Sequence, residues 1–179
     1  MRHFHLKTLF YIIIPILGLI TPSAGMPESS FIGIEKIDRD QPIIINSDTL
    51  EIDNKRRIVT FEGNVDARKS DLTIKCQKMF LYYNDTAGGQ ASDNSDLKID
   101  KIIAKGNVKI NRSDGGLATA DEAVYSQKDE TVVLTGKPVV KQGDYFVEGA
   151  KITMFLKENR SVVEGSKTIK VRAVMSPKK

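Results

Sequence analysis

From Gln41 onward, apolar and polar residues alternate in short runs separated by polar turns. In the stretch from Gln41 to Val65, Ile43 and Ile45 alternate and a small residue, Ser47, precedes Asp48. Leu50 and Ile52 then alternate, and Val59 and Phe61 lead to Gly63. Alternation over four to eight residues predicts strands with one dry face and one wet face. The Asp-Asn-Lys-Arg cluster at 53–56 is turn chemistry between two such strands. The stretch predicts a hairpin.

The same design recurs along the chain. Its small position is held by Ser47, Cys76, Ala120 and Gly149, and a glycine follows each one: Gly63, Gly106, Gly136 and Gly165. The separation is 16 residues in three cases and 30 in the second. The excess coincides with the Gly- and Ser-rich stretch 84–97, read as an inserted loop. Two further columns keep the period: Leu50, Met79, Ala123 and Ile152, then Ile52, Leu81, Tyr125 and Met154. Phe61, Ala104, Leu134 and Val163 form another, two residues before each glycine. Internal repeats of this length mean stacked supersecondary units that cannot bury their apolar faces alone. No window keeps helical spacing for three turns, so the expected fold is all-β. The units build two facing sheets or one folded-over antiparallel sheet, with dry side chains between.

The first 25 residues stand apart. Arg2 and Lys7 precede an almost unbroken apolar run over 8–20, followed by the small residues Ser23, Ala24 and Gly25. This is the layout of a secretory signal peptide, and the run is short of the ~20 residues a bilayer span needs. Residues 26–40 read as a polar lead-in, 41–174 as the repeat domain and 175–179 as a tail. Cleavage would remove His3 and His5, the only histidines, and leave 25 basic residues against 23 acidic. So mild and scattered a charge argues against nucleic acid as a partner.

Catalytic chemistry finds few parts here. Cys76 occupies a column otherwise held by Ser, Ala and Gly and has no histidine to activate it, so it reads as a packing residue. One cysteine without histidine supplies no usual metal ligand set, and no cofactor is expected. The Gly-Ser-Lys-Thr run at 165–168 resembles the end of a phosphate loop, yet it lacks the upstream glycine. Asp48 and Asp121 follow the small position in two repeats and read as turn or edge hydrogen bonders rather than as an acid pair. The lysines alternate with apolar residues, as in Lys75, Lys78, Lys105 and Lys109, and read as a solvated face, with anionic headgroup contact as the sharper alternative. What remains is the dry face itself. No capping element closes the repeat at either end, and open sheet ends invite head-to-tail strand addition.

Several runs carry a family resemblance: DQPIIINSDTLEID with VTFEGNV, then KGNVKI, ATADEAVYS with TVVLTGKPVV, and VEGAKITMFLKENR. Together they resemble the OstA-like family of periplasmic lipopolysaccharide transport proteins, from Asp40 to about Val174. The resemblance implies a β-jellyroll folded into a V-shaped trough, open at both ends, that shields the acyl chains of lipid A during export. It places ligand contacts on Ile43, Ile45, Ile110 and Tyr125. Alternation adds Leu50, Ile52, Phe61, Leu81, Val108, Leu134 and Met154 to the same interior face. The partners it implies are lipopolysaccharide, further copies joined head to tail, an LptC-like inner-membrane protein at the N-terminal edge and an LptD-like outer-membrane protein at the C-terminal edge. The implied compartment is the periplasm of a Gram-negative bacterium. The loop 84–97, the tail and Cys76 depart from the family pattern.

Three other readings predict different behaviour. An LptC-like component would keep its N-terminal segment as a membrane anchor. A polysaccharide-active enzyme would cluster two acids on one face. A fibre subunit would assemble through its edges around an ordinary filled core.

Overall fold

The computed structural model describes residues 42–84 and 98–175. The segments read as signal peptide and lead-in, the stretch 85–97 read as a loop, and the last four residues lie outside the described residues. Among the described residues twelve strands form a single sheet. They are β1 (Ile44–Asn46), β2 (Thr49–Asp53), β3 (Ile58–Lys69), β4 (Leu72–Asn84), β5 (Lys98–Arg112) and β6 (Gly116–Ser126). There follow β7 (Thr131–Thr135), β8 (Val139–Gln142), β9 (Tyr145–Glu148), β10 (Lys151–Phe155), β11 (Arg160–Glu164) and β12 (Arg172–Val174). All their pairings are antiparallel.

The sheet is folded on itself along one line. Its pairing registers shift between Glu62 and Val65, between Lys75 and Lys78, and between Lys105 and Val108. On this line lie the pairs Gly63–Asn64, Gly106–Asn107 and Gly136–Lys137, in which both residues have φ between +48° and +81°. Two successive left-handed residues form a bulge that turns the strand sharply. The line divides the sheet into two walls. Strands β3 to β6 run through both, while β2, β7, β10 and β11 complete the first wall and β1, β8, β9 and β12 the second. The expected folded-over antiparallel sheet is what forms.

Three of the four repeat glycines serve this bend. A Cβ on Gly63, Gly106 or Gly136 would collide with the side chain of Asp48, Gln77 or Asp121 respectively. These are the residues directly after the small positions Ser47, Cys76 and Ala120, so each repeat lays a polar side chain over the next bend. Asp48 also accepts a hydrogen bond from Asn64 Nδ2 at 2.9 Å, and its own amide donates to the Gly63 carbonyl at 2.9 Å. Gly165 breaks the pattern. It is absent from the left-handed positions and leads into a turn where the Ser166 amide donates to the Ile169 carbonyl.

Both walls turn their apolar faces to one cluster. Phe61, Met79, Leu134, Ile152 and Met154 come from the first wall, and Ala67, Ala118, Val140 and Val147 from the second. Gly136→Ala should therefore lose about 1–3 kcal/mol from forced backbone strain. Gly143, also left-handed at φ +57° but with nothing near its added methyl, supplies the comparison. Thermal unfolding should show Gly136→Ala losing more than Gly143→Ala; equal losses would mean that the Asp121 contact does not matter.

Candidate lipid-binding face

The interior face consists of apolar rows that cross every strand of a wall in register. In the first wall one row runs Leu50, Phe61, Met79, Ala104, Ala123, Leu134, Ile152 and Val163. It interleaves two of the columns found in the sequence. The next row toward the rim alternates the third column, Ile52, Leu81, Tyr125 and Met154, with Val59, Ile102, Val132 and Ser161. The second wall answers with Ile45, Ala67, Ile74, Ile110, Ala118, Val140, Val147 and Ala173. Cross-strand neighbours of this kind are the unit of sheet stabilisation. Here they also make a continuous apolar lining.

Burial along a row is uneven. Leu134 and Ile152 are 0 % exposed, whereas Leu50 is 54 % and Ile52 58 % exposed. The rows are packed shut at mid-sheet and wet where they reach the N-terminal edge. At the other end Val171 and Met175 are exposed as well. The edge strands β1, β2, β11 and β12 each pair on one side only.

All eleven residues singled out in the sequence lie in or beside this lining. Phe61, Leu81, Val108, Leu134 and Met154 are buried, with Val108 next to the bend. Ile43, Ile45, Ile110 and Tyr125 are half-buried, with Ile45 and Ile110 packed against the buried cluster, and Leu50 and Ile52 are exposed. Tyr125 keeps its ring in the lining while its hydroxyl donates to Gln127 Oε1 at 2.6 Å, toward the rim. Sequence reasoning missed most of the second wall: Ala67, Ile74, Ala118, Val140 and Val147. Their alternation is visible, but alanine carries little signal, and only pairing shows that they face the columns of the first wall.

Cys76 is buried beside the bend, with its thiol directed to the Lys78 carbonyl at 3.4 Å. Burial pushes the thiol above its ordinary pKa, so it stays protonated and unreactive. Among the described residues no group of three or more His, Cys, Asp or Glu is placed to hold a metal ion.

An antiparallel sheet folded along one line, with largely apolar rows between its walls and unpaired edge strands at both ends, defines an open-ended β-trough. The chain belongs to the LptA/(LptD N-terminal domain) family of LPS transport proteins, whose model matches residues 44–160. It is 29% identical over 143 residues to the lipopolysaccharide export system protein LptA of Escherichia coli (strain K12), covering 78% of this chain and 74% of that protein. It is also 33% identical over 105 residues to an uncharacterized protein of Rhizobium meliloti (strain 1021), covering 59% of this chain and 55% of that one. Among solved structures it superposes on LptH of Pseudomonas aeruginosa with a TM-score of 0.65. That match has 17% identity and covers 79% of this chain and all of LptH, described as the LptA-homologous periplasmic component of a lipopolysaccharide transport device. It confirms the β-jellyroll trough.

The uneven burial has a measurable consequence. Leu134→Ala should cost about 2–5 kcal/mol as a cavity-forming change. Leu50→Ala, at a wet edge, should stay within about 0.5 kcal/mol of the parent. Chemical denaturation of the two variants checks the contrast, and similar losses would show that the edge is packed in solution.

Proposed function

We propose that the protein is a periplasmic carrier that shelters the acyl chains of lipopolysaccharide between its two walls, as one segment of a bridge from inner to outer membrane. The observation that carries this reading is the set of apolar rows crossing all strands of both walls and emerging wet at the edges. Burying a methylene is worth ~0.8 kcal/mol, so one acyl chain of about a dozen carbons gains roughly 10 kcal/mol. Several fully sheltered chains would pass the ceiling near −20 kcal/mol at which non-covalent affinities saturate. Partial burial keeps release possible, and no bond needs to be made or broken by the carrier.

The half-buried set guides the lipid contacts: Ile43, Ile45, Ile110 and Tyr125, with Leu50 and Ile52 at the entry edge. The buried members Phe61, Leu81, Val108, Leu134 and Met154 take part when the walls separate about the glycine-lined bend. In-cell photo-crosslinking from Ile45 and Tyr125 should capture lipopolysaccharide, with Lys128, exposed in a turn, as the silent control. Protein adducts alone, or none, would return the interior to the status of an ordinary core and favour the fibre reading. Tyr125→Asp should weaken lipid binding by more than its loss of thermal stability accounts for; matched losses would remove the inference.

The edges support head-to-tail joining. Each wall alternates strand direction so that the last strand lies antiparallel to the first strand of a following copy. Extending the interior rows in step sets Val163 beside Leu50 of the next copy and Ala173 beside its Ile45. The same register brings Arg160 opposite Asp53 of that copy. Both are already charged-pair formers: Arg160 binds Glu158 at 2.8 Å, and the Arg56 amide and guanidinium hold Asp53 below its ordinary pKa. The LptC-like partner then takes the β1–β2 edge and the LptD-like partner the β11–β12 edge. Asp53→Arg and Arg160→Asp should each shorten the oligomers seen by light scattering, and the double swap should restore them. No restoration would count against this register.

A further inference from the structure

The outer face of the first wall departs from the polar surface that strand alternation predicts. Phe80, Ile103, Val124, Val133, Thr153 and Val162 sit on six successive strands in register, on the side away from the interior. All are only partly exposed, and none of the apolar five packs against the interior cluster. A contiguous apolar belt on a wet face marks an interaction surface.

A charged ladder borders the belt on the side of the bend. Lys78 pairs with Glu62 at 2.9 Å, Lys105 with Glu122 at 2.8 Å and Lys151 with Glu164 at 2.5 Å. The ladder is neutral in sum, so it gives no attraction to an anionic membrane or a nucleic acid. An apolar strip bordered on the bend side by a charge-neutral ladder fits another surface of the same kind.

We propose that this belt packs against its own copy, back to back, about a two-fold axis parallel to the strands and passing between β5 and β6. The operation lays β5 on β6 of the second copy and β4 on its β7. Ile103 then meets Val124 of the second copy, and Phe80 meets its Val133. In the ladder Lys105 faces Glu122 of the second copy, Glu62 faces its Lys151, and Lys78 faces its Thr135. Moving the axis one strand toward β7 sets Lys105 against Lys151, and one strand toward β4 sets Lys78 against Lys105. Like charges facing each other cost affinity, so the charge order selects one placement out of three. The facing strands are β3 to β7 and β10, where Phe80, Ile103, Val124 and Val133 are apolar on both copies. With the ladder and, on the belt's other side, the row Tyr82, Lys101, Ser126, Thr131 and Phe155, six strands at ~4.8 Å give roughly 500 Å² per copy, about 1,000 Å² in all. That area is the minimum for a specific contact, so the pair is weak and reversible. It leaves both edges of each copy free.

Two single-cysteine proteins in a Cys76→Ser background, Phe80→Cys and Val133→Cys, test the arrangement. Within one chain these positions lie three strands apart, roughly 14 Å, too far for an internal disulfide. In a head-to-tail contact they are farther still. Sheets packed face to face stand ~10 Å apart, beyond direct disulfide reach, so a short bis-maleimide reads the contact, and the mixture should yield crosslinked dimers at least about tenfold faster than either protein alone. Val124→Lys, added to both, should abolish that excess while leaving the melting temperature unchanged within a few degrees. A mixture no faster than its components overturns the proposal, as does a sedimentation mass that stays monomeric once the edges are blocked by Asp53→Arg. Neither readout contains lipid, so the result is independent of whether the interior carries lipopolysaccharide.

Discussion

The fold depends on one backbone constraint: two consecutive residues sit in the left-handed region at the same level of β3, β5 and the β7–β8 link, on every second strand across the bend. Only glycine takes the first of these positions without strain, and Asn or Lys follows it at φ near +50°. Where the pair occurs, a long strand bends and its two halves face each other. Without it the same alternation would give a flat sheet with one apolar side exposed, which aggregates rather than encloses. The polar side chain laid over Gly63, Gly106 and Gly136 ties the bend to the repeat itself, because in these three units it directly follows the unit's small residue.

The second wall shows why the enclosure is asymmetric. It sets Ala67 and Ala118 against the Phe, Met, Leu and Ile of the first wall. Small residues let the walls close to full burial at mid-sheet, and large ones supply the apolar area. At the edges the same rows lose their facing neighbours and become wet. A single periodic pattern therefore gives both a stable core and an exposed lining, depending only on how many strands flank a position.

Much of this was legible in the sequence. The columns through Leu50, Ile52 and Phe61 are the rows of the first wall, and the excess spacing in the second repeat falls in the stretch between β4 and β5. The folded sheet and the family followed from the same residues. Less was legible in the second wall, where alanines give weak alternation. The special part of Gly63, Gly106 and Gly136, and the failure of Gly165 to share it, were hidden because spacing does not report φ. The belt of Phe80, Ile103, Val124 and Val133 was hidden for a related reason. A strand apolar on both faces reads as a continuous run, and assigning its sides needs the register.

The order of pairing also bears on how the molecule comes to exist. From β2 through β7 each strand lies beside its predecessor in the chain, and the later pairings of β7 with β10, β6 with β8 and β9 with β12 skip only one or two strands. Each of these pairings joins strands close in chain order, so no strand has to wait for a partner from the far end of the chain. A meander of this kind grows at its open edge as each new hairpin arrives. A chain delivered end first across a membrane can therefore lay down its sheet in the order of its emergence, without waiting for its C-terminus.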